Sequence, residues 1–198
     1  MKAKQILTYV TFLMVIGSFS GMWAQAKRDI NILELDKKAP EEIKKTAEIL
    51  DKFPPTLISE LTNSIKERGY AGSISFCKTR APQIAAEFSK TYNKKIYRVS
   101  DKNRNPNQKA SEDEQKVIEF WLKRIKENQP IKTVYYKVGD KTKVMKPIRI
   151  PNEMCLSCHG DLNTISPEVK EVLKKEYPQD RATGYKINDL RGAVVAEF

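Results

Sequence analysis

Residues 155 to 159 read Cys155-Leu156-Ser157-Cys158-His159, and this run constrains the chain more than any other part of it. A C-x-x-C-H pentapeptide sets two thiols on one turn of helix, where each can form a thioether to a porphyrin vinyl group. The adjoining histidine is carried beneath the iron as its proximal ligand. A chain with this run must fold around a flat macrocycle and keep a slot beside that turn. A thiol redox pair has no need of the adjoining histidine. A zinc site needs a second pair of ligands, and outside the pentapeptide the chain holds only Cys77 and no histidine.

The N-terminus points the same way. Lys2 and Lys4 precede an apolar stretch around Ile6 to Phe19, and Ala24-Gln25-Ala26 closes it. That is the charged, apolar and small-x-small order of a secretory signal, cleaved before Lys27. Thr8, Thr11, Gly17, Ser18, Ser20 and Gly21 interrupt the stretch and make it a poor spanning helix. The expected mature protein is soluble and periplasmic, which suits covalent haem attachment by machinery outside the cytoplasmic membrane. Residues 27 to 198 then form a single domain, with 27 to 55 as a helical N-terminal extension.

Cleavage takes 26 of the 198 residues and two lysines from a formal charge of +11. Basic charge can mean nucleic acid. Here lysines alternate with glutamates, as in Glu41-Glu42-Ile43-Lys44-Lys45, so much of the charge is solvated helix face. In an exported haem protein the remainder points to an acidic redox partner or to peripheral contact with an anionic membrane, and not to nucleic acid.

Residues 40 to 53 predict a helix with Ile43, Ala47 and Leu50 on one face, ended by Pro54-Pro55. A second helix runs over 56 to 68, stopped by Gly69. Ala71 to Lys78 predicts a short buried helix, and Pro82 opens another through about Ser89. Tyr92 to Ser100 alternates like a strand, and Asp101 to Ala110 is a polar loop. Ser111 and Glu114 form a capping box before a helix with Val117, Trp121 and Ile125 on one stripe. Ile131 to Val138 and Lys143 to Ile150 predict strands joined at Gly139-Asp140. Asn152 is placed to cap the short helix of the pentapeptide. Ser166-Pro167-Glu168 opens a helix to about Tyr177, and Tyr185 to Ile187 with Ala193 to Phe198 predict a closing hairpin at Asn188-Asp189. Helices first and strands after them make an α+β chain with a largely antiparallel sheet. An all-helical cytochrome c does not fit, because the pentapeptide comes after a hairpin.

His159 is the single histidine, so a second histidine ligand from the same chain is excluded. Met145, Met154, a lysine, water and Cys77 are the candidates for the opposite side of the iron. Met154 is held on the proximal side by its neighbour Cys155, and Met145 reaches only if the hairpin folds over the distal face. Cys77, unpaired in an oxidising compartment, reads as an inert buried thiol, a reactive thiol, a disulfide to another chain or a metal ligand. As a thiolate ligand it favours ferric iron and a low potential. Arg98, Arg104 and Asn105 are candidates for a propionate contact, since guanidinium matches carboxylate. The alternative for this Asn/Pro run is a loop closed by its own hydrogen bonds.

Several motifs in order then carry a family resemblance. They are Ala71-Gly72-Ser73-Ile74-Ser75-Phe76-Cys77 with Ala81-Pro82-Gln83-Ile84-Ala85, and Arg98-Val99-Ser100 before Arg104-Asn105-Pro106-Asn107. Cys155 to Gly160, Tyr177-Pro178-Gln179-Asp180, Ala182-Thr183-Gly184-Tyr185 and Arg191-Gly192-Ala193 complete the set. Over about Leu57 to Phe198 the chain resembles the exported mono-haem c family with a PAS-like fold, long described as a domain of unknown function. The resemblance implies an α+β fold with a PAS-like antiparallel sheet, N-terminal helices and one covalently bound haem c. It also implies His/Cys axial ligation of the iron, by His159 and Cys77. The expected function is low-potential electron transfer or redox sensing with an unidentified redox or signalling partner. The alternative is a gas or small-ligand sensor in which Cys77 leaves the iron and a partner protein is signalled. A peroxidase needs an acid/base beside an open distal site, and without a second histidine an enzyme is the weakest of the three.

Overall fold

The computed structural model describes residues 29–198, so the expected signal peptide lies outside the described residues. Five strands and five α-helices run in the order β1 Leu33–Glu34, α1 Glu41–Gly72, α2 Ile74–Tyr92, β2 Lys95–Val99, α3 Glu112–Lys126, β3 Val134–Val138, β4 Lys141–Arg149, α4 Glu153–His159, α5 Pro167–Glu176 and β5 Leu190–Glu197. The strands form one antiparallel sheet in the order β1-β3-β4-β5-β2. This is the antiparallel PAS-like α+β architecture expected from the sequence.

Alternation along β5 divides the core. Val194 and Ala196 join Ile96 and Val144 under Leu50 and Phe53 of α1 and Phe76 and Ile84 of α2. Ala193 and Val195 join Val134, Tyr136 and Met145 under Val117, Ile118 and Trp121 of α3. The two-residue period of a strand thus feeds two separate cores, one on each face.

The prolines are where the expected boundaries fail. Pro54 and Pro55 lie inside α1, and Pro82 inside α2, so each expected pair of helices is one helix. An interior proline costs about 3 kcal/mol. Against this, Ile43, Ala47, Leu50, Phe53, Leu57 and Leu61 continue one apolar stripe straight through the Pro-Pro pair. Each large side chain so buried returns about 1.5–3 kcal/mol, and the stripe wins. The break comes instead at Gly69, whose φ of 67° only glycine adopts without strain.

Other expectations hold or fail for local reasons. The Ser111/Glu114 capping box forms in full, and Ser166 accepts from the Val169 amide at 3.3 Å to open α5. β3 and β4 meet at Gly139-Asp140 with Val138 opposite Lys141. Tyr185 to Ile187 is not a strand. β5 pairs instead with β4 and β2, which satisfy both of its edges and leave no closing hairpin. The expected helical extension begins with a strand, β1, which hydrogen-bonds the edge of β3. Among the described residues no helix is long and apolar enough to cross a membrane.

Candidate functional site

A cleft of about 1140 Å³, including its open mouth, lies between α1, α2, α4 and the sheet face that carries Ile96 and Val194. Cys77, Cys155, Cys158 and His159 all line it. Leu57, Ile58 and Leu61 of α1 and Ile148 of β4 supply much of its apolar surface. Among the described residues, no three His, Cys, Asp or Glu side chains cluster closely enough to hold a bare metal ion. The three sulfurs and the imidazole therefore surround a gap instead of converging on a point. Such a gap fits a macrocycle better than it fits zinc.

The pentapeptide occupies α4, a helix of seven residues. Asn152 stands at its N-cap position, but its side chain makes no cap hydrogen bond. The Asn152 carboxamide oxygen instead lies 3.7 Å from Cys155 Sγ, so the expected cap does not form. At the other end the Gly160 amide donates to Leu156 O at 2.8 Å, and a Cβ on Gly160 would sit 2.6 Å from that oxygen. Only glycine closes this turn.

Burial raises the Cys155 thiol above its ordinary value, partly offset by its bond at Asn152. Burial pushes Cys158 up to about 11, with Arg104 opposing. A thiol redox pair needs the opposite, a lowered pKa that supplies thiolate. The two groups are present as thiols, available for S–C bond formation and poorly suited to disulfide exchange.

His159 is held by a segment some twenty residues downstream. Its Nδ1 lies 2.7 Å from Ala182 O and, because a carbonyl only accepts, Nδ1 carries the proton. Nε2 is left with its lone pair, the tautomer a metal ligand requires. Burial, then Arg191 and Arg104, drive the imidazole well below its ordinary pKa, so the ring is neutral near pH 7. Tyr185 meets the ring edge-on at 6.2 Å. The backbone repeats the connection: Tyr185 N donates to His159 O at 2.9 Å and Gly184 N to Gly160 O at 2.7 Å.

Arg104 locks this arrangement. Its Nε donates to Asp180 Oδ2 at 3.0 Å, and one terminal nitrogen donates to Cys158 O at 2.5 Å and to Ala182 O at 3.3 Å. Asp180 Oδ1 accepts from Ala182 N at 2.7 Å. The residue is only 6% exposed, and although Arg104 lines the cleft, its Nε and one terminal nitrogen are committed to the protein itself. Asn105 is not brought to the cleft. Its side chain accepts from the Asn107 amide at 3.0 Å and starts the short 3-10 turn Pro106–Gln108. Arg98 does line the cleft.

Met145 is fully buried on the opposite sheet face, where its sulfur accepts from Tyr136 OH at 3.2 Å. It takes no part in the cleft, because strand alternation turns it away. Met154 does line the cleft, with its sulfur 3.7 Å from Thr62 Oγ1. Arg191, Asp180 and the Ala182 carbonyl carry no role that the sequence reveals. Each lies in one of the family motifs, but none connects to His159 until 180–185 is seen to fold back over α4.

A family profile matches residues 24–198, and its description is Tll0287-like. The chain belongs to the Tll0287-like family. Among solved structures, the cyanobacterial heme-protein Tll0287 superposes with a TM-score of 0.62 at 19% identity. The match covers 81% of this chain and 96% of that one. At that identity it is the fold that is shared. No curated protein matches. Membership of the Tll0287-like family agrees with the resemblance read from the motifs, and the similarity begins upstream of Leu57, where those motifs start.

Proposed function

We propose that this chain is an exported mono-haem c protein that works in the periplasm in low-potential electron transfer or redox sensing. The observation that carries the reading is that Cys77, Cys155, Cys158 and His159 line a single apolar cleft without closing into a metal cluster. Cys155 and Cys158 would hold the haem by thioethers, with His159 and Cys77 as its axial ligands. Bound there, the haem would supply a one-electron iron couple, which a thiolate ligand biases towards the ferric state. The neutral His159 ring, fixed through Nδ1 on Ala182 O, presents Nε2 as the donor atom. The apolar wall from α1 keeps water from the site and lowers its dielectric. The similarity to a solved heme-protein supports the same reading.

A second reading rests on α2. Cys77 is carried on a helix that follows α1 at Ser73, just past the non-helical Gly69, and is tied to α5 by Lys78–Glu176 at 2.7 Å. If a small ligand displaced Cys77, α2 and α5 would pass the change to a partner protein.

Optical and EPR spectra of the exported, haem-loaded protein in ferric and ferrous states test both. A low-spin ferric signal of thiolate character is expected. A high-spin ferric spectrum that takes up carbon monoxide or nitric oxide readily would put the sensor reading ahead. Protein that carries no covalent haem when exported with the attachment machinery would end the proposal.

A further inference from the structure

Four arginines, Arg98, Arg104, Arg149 and Arg191, line the cleft, and among them only Arg104 has an ion-pair partner among the described residues. Arg98 lies in β2 and Arg191 in β5, and both line the cleft. Arg104 already has Asp180 as its partner, and Arg149 donates to Asn188 O at 2.7 Å in an exposed contact. Arg191 donates to Ser100 Oγ at 2.9 Å and Lys102 O at 3.3 Å and lies 5.5 Å from the centre of the Tyr185 ring. All of these partners are neutral; Asp180 nearby favours the Arg191 charge, but Arg104 opposes it by more. Among the described residues no carboxylate pairs with either Arg98 or Arg191.

That arrangement is unfavourable as it stands. Burial is the largest influence disfavouring the charge on both groups, and Arg191 adds to it at Arg98. A guanidinium does not escape by losing its proton. Both residues are half-buried, and two like charges partly withdrawn from water call for a compensating anion each. Much of the remaining cleft wall is apolar, from Leu57 and Leu61 to Ile148 and Ile150. The complementary ligand has an apolar body with two carboxylates, and the planar guanidinium fork matches each carboxylate with two hydrogen bonds.

We propose that Arg98 and Arg191 form the carboxylate clamp of the cleft, each taking one haem propionate, and that Arg104 is a positioning residue for α4. The assignment rests on the proposed haem function and deepens it. It replaces the expected set of Arg98, Arg104 and Asn105 with a pair from the two strands that meet at Val99 and Ala193.

The test uses the exported holoprotein carrying haem isotopically labelled at the propionate carboxylates, read by reduced-minus-oxidised infrared difference spectra and by redox titration. Arg98→Gln and Arg191→Gln are each expected to move a labelled carboxylate band and to shift the midpoint potential downwards, since a cation near the iron is lost. Arg98→Lys and Arg191→Lys keep the charge but not the fork. They should restore the potential while leaving the band displaced, and they carry the test if a glutamine variant does not fold. Labelled bands unmoved in all four variants would overturn the clamp and leave the haem reading intact. Absence of covalent haem from the unmutated protein would overturn both.

Discussion

The two faces of the sheet solve opposite problems. On the α3 face, the buried charges are paired with one another. Lys143 Nζ lies 2.8 Å from Asp113 Oδ2 and 2.9 Å from Glu114 Oε1, while Tyr97 and Tyr136 donate to the same carboxylates at 2.6 and 2.8 Å. On the cleft face, three thiols, a neutral imidazole nitrogen and arginines of which only Arg104 has an ion pair line an apolar hollow. A closed network of the first kind holds a fold together and binds nothing. A set of donors and charges left incomplete marks where a ligand belongs. The contrast locates function by what each face still lacks.

If this division is right, lesions on one face should leave the other untouched. The largest effect is expected from Cys155→Ala with Cys158→Ala, which should abolish covalent haem altogether, read by mass spectrometry of the denatured protein. Haem that stayed attached through denaturation would break the assignment. Next, Lys143→Met leaves Asp113 and Glu114 buried without their cation. It should destabilise the fold by about 3–5 kcal/mol, measured by urea unfolding, with the haem spectrum unchanged. A spectral change there would show that the faces are coupled.

Cys77→Ser should remove thiolate character from the ferric spectrum and raise the midpoint potential, with haem still covalently bound. An unchanged spectrum would remove Cys77 from the iron. The smallest effect is in the pH dependence of stability. Burial raises the Asp113 carboxyl, but its bonds from Lys143, Ser111 and Tyr136 outweigh this and hold it below its ordinary value. Its contribution is therefore full above about pH 4 and is lost as pH falls through the lowered folded value. Burial alone would lower Lys143, but Asp113 and Glu114 hold it above its ordinary value. That contribution is full below about pH 10 and disappears as pH rises through the raised folded value. The share of the urea midpoint that this network contributes should be flat across neutrality and fall at both extremes, and Lys143→Met should flatten both limbs.

Legibility from sequence tracks the range of the interaction. The capping box of Ser111 and Glu114 and the turn at Gly139-Asp140 are decided by residues within four positions of each other, and both are readable. Pro54-Pro55 and Pro82 mislead because the burial that overrides them comes from partners distant in the chain, as where Phe53 meets Phe88. In the site, the pentapeptide is legible because its residues are adjacent in the chain and the haem attachment proposed for it is a local reaction. Arg104, Asn105 and Arg191 carry the right chemistry in the sequence, but their roles depend on which loop folds against α4. Only the fold separates a cleft-lining guanidinium committed to Asp180 from those that line the cleft without an ion pair.

The strand order also sets a timetable. β5 lies between β4 and β2 inside the sheet, yet it comes after every other element in the chain. Until Leu190–Glu197 has arrived, β2 has no strand beside it and neither core has its central wall. The pentapeptide precedes β5 in the chain, so if the protein is exported as proposed, Cys155 and Cys158 would cross the membrane before the sheet could form. Pairing that depends on such distant segments is slow. On the proposed function, that delay would leave both thiols accessible for haem attachment before β5 closes the sheet behind them.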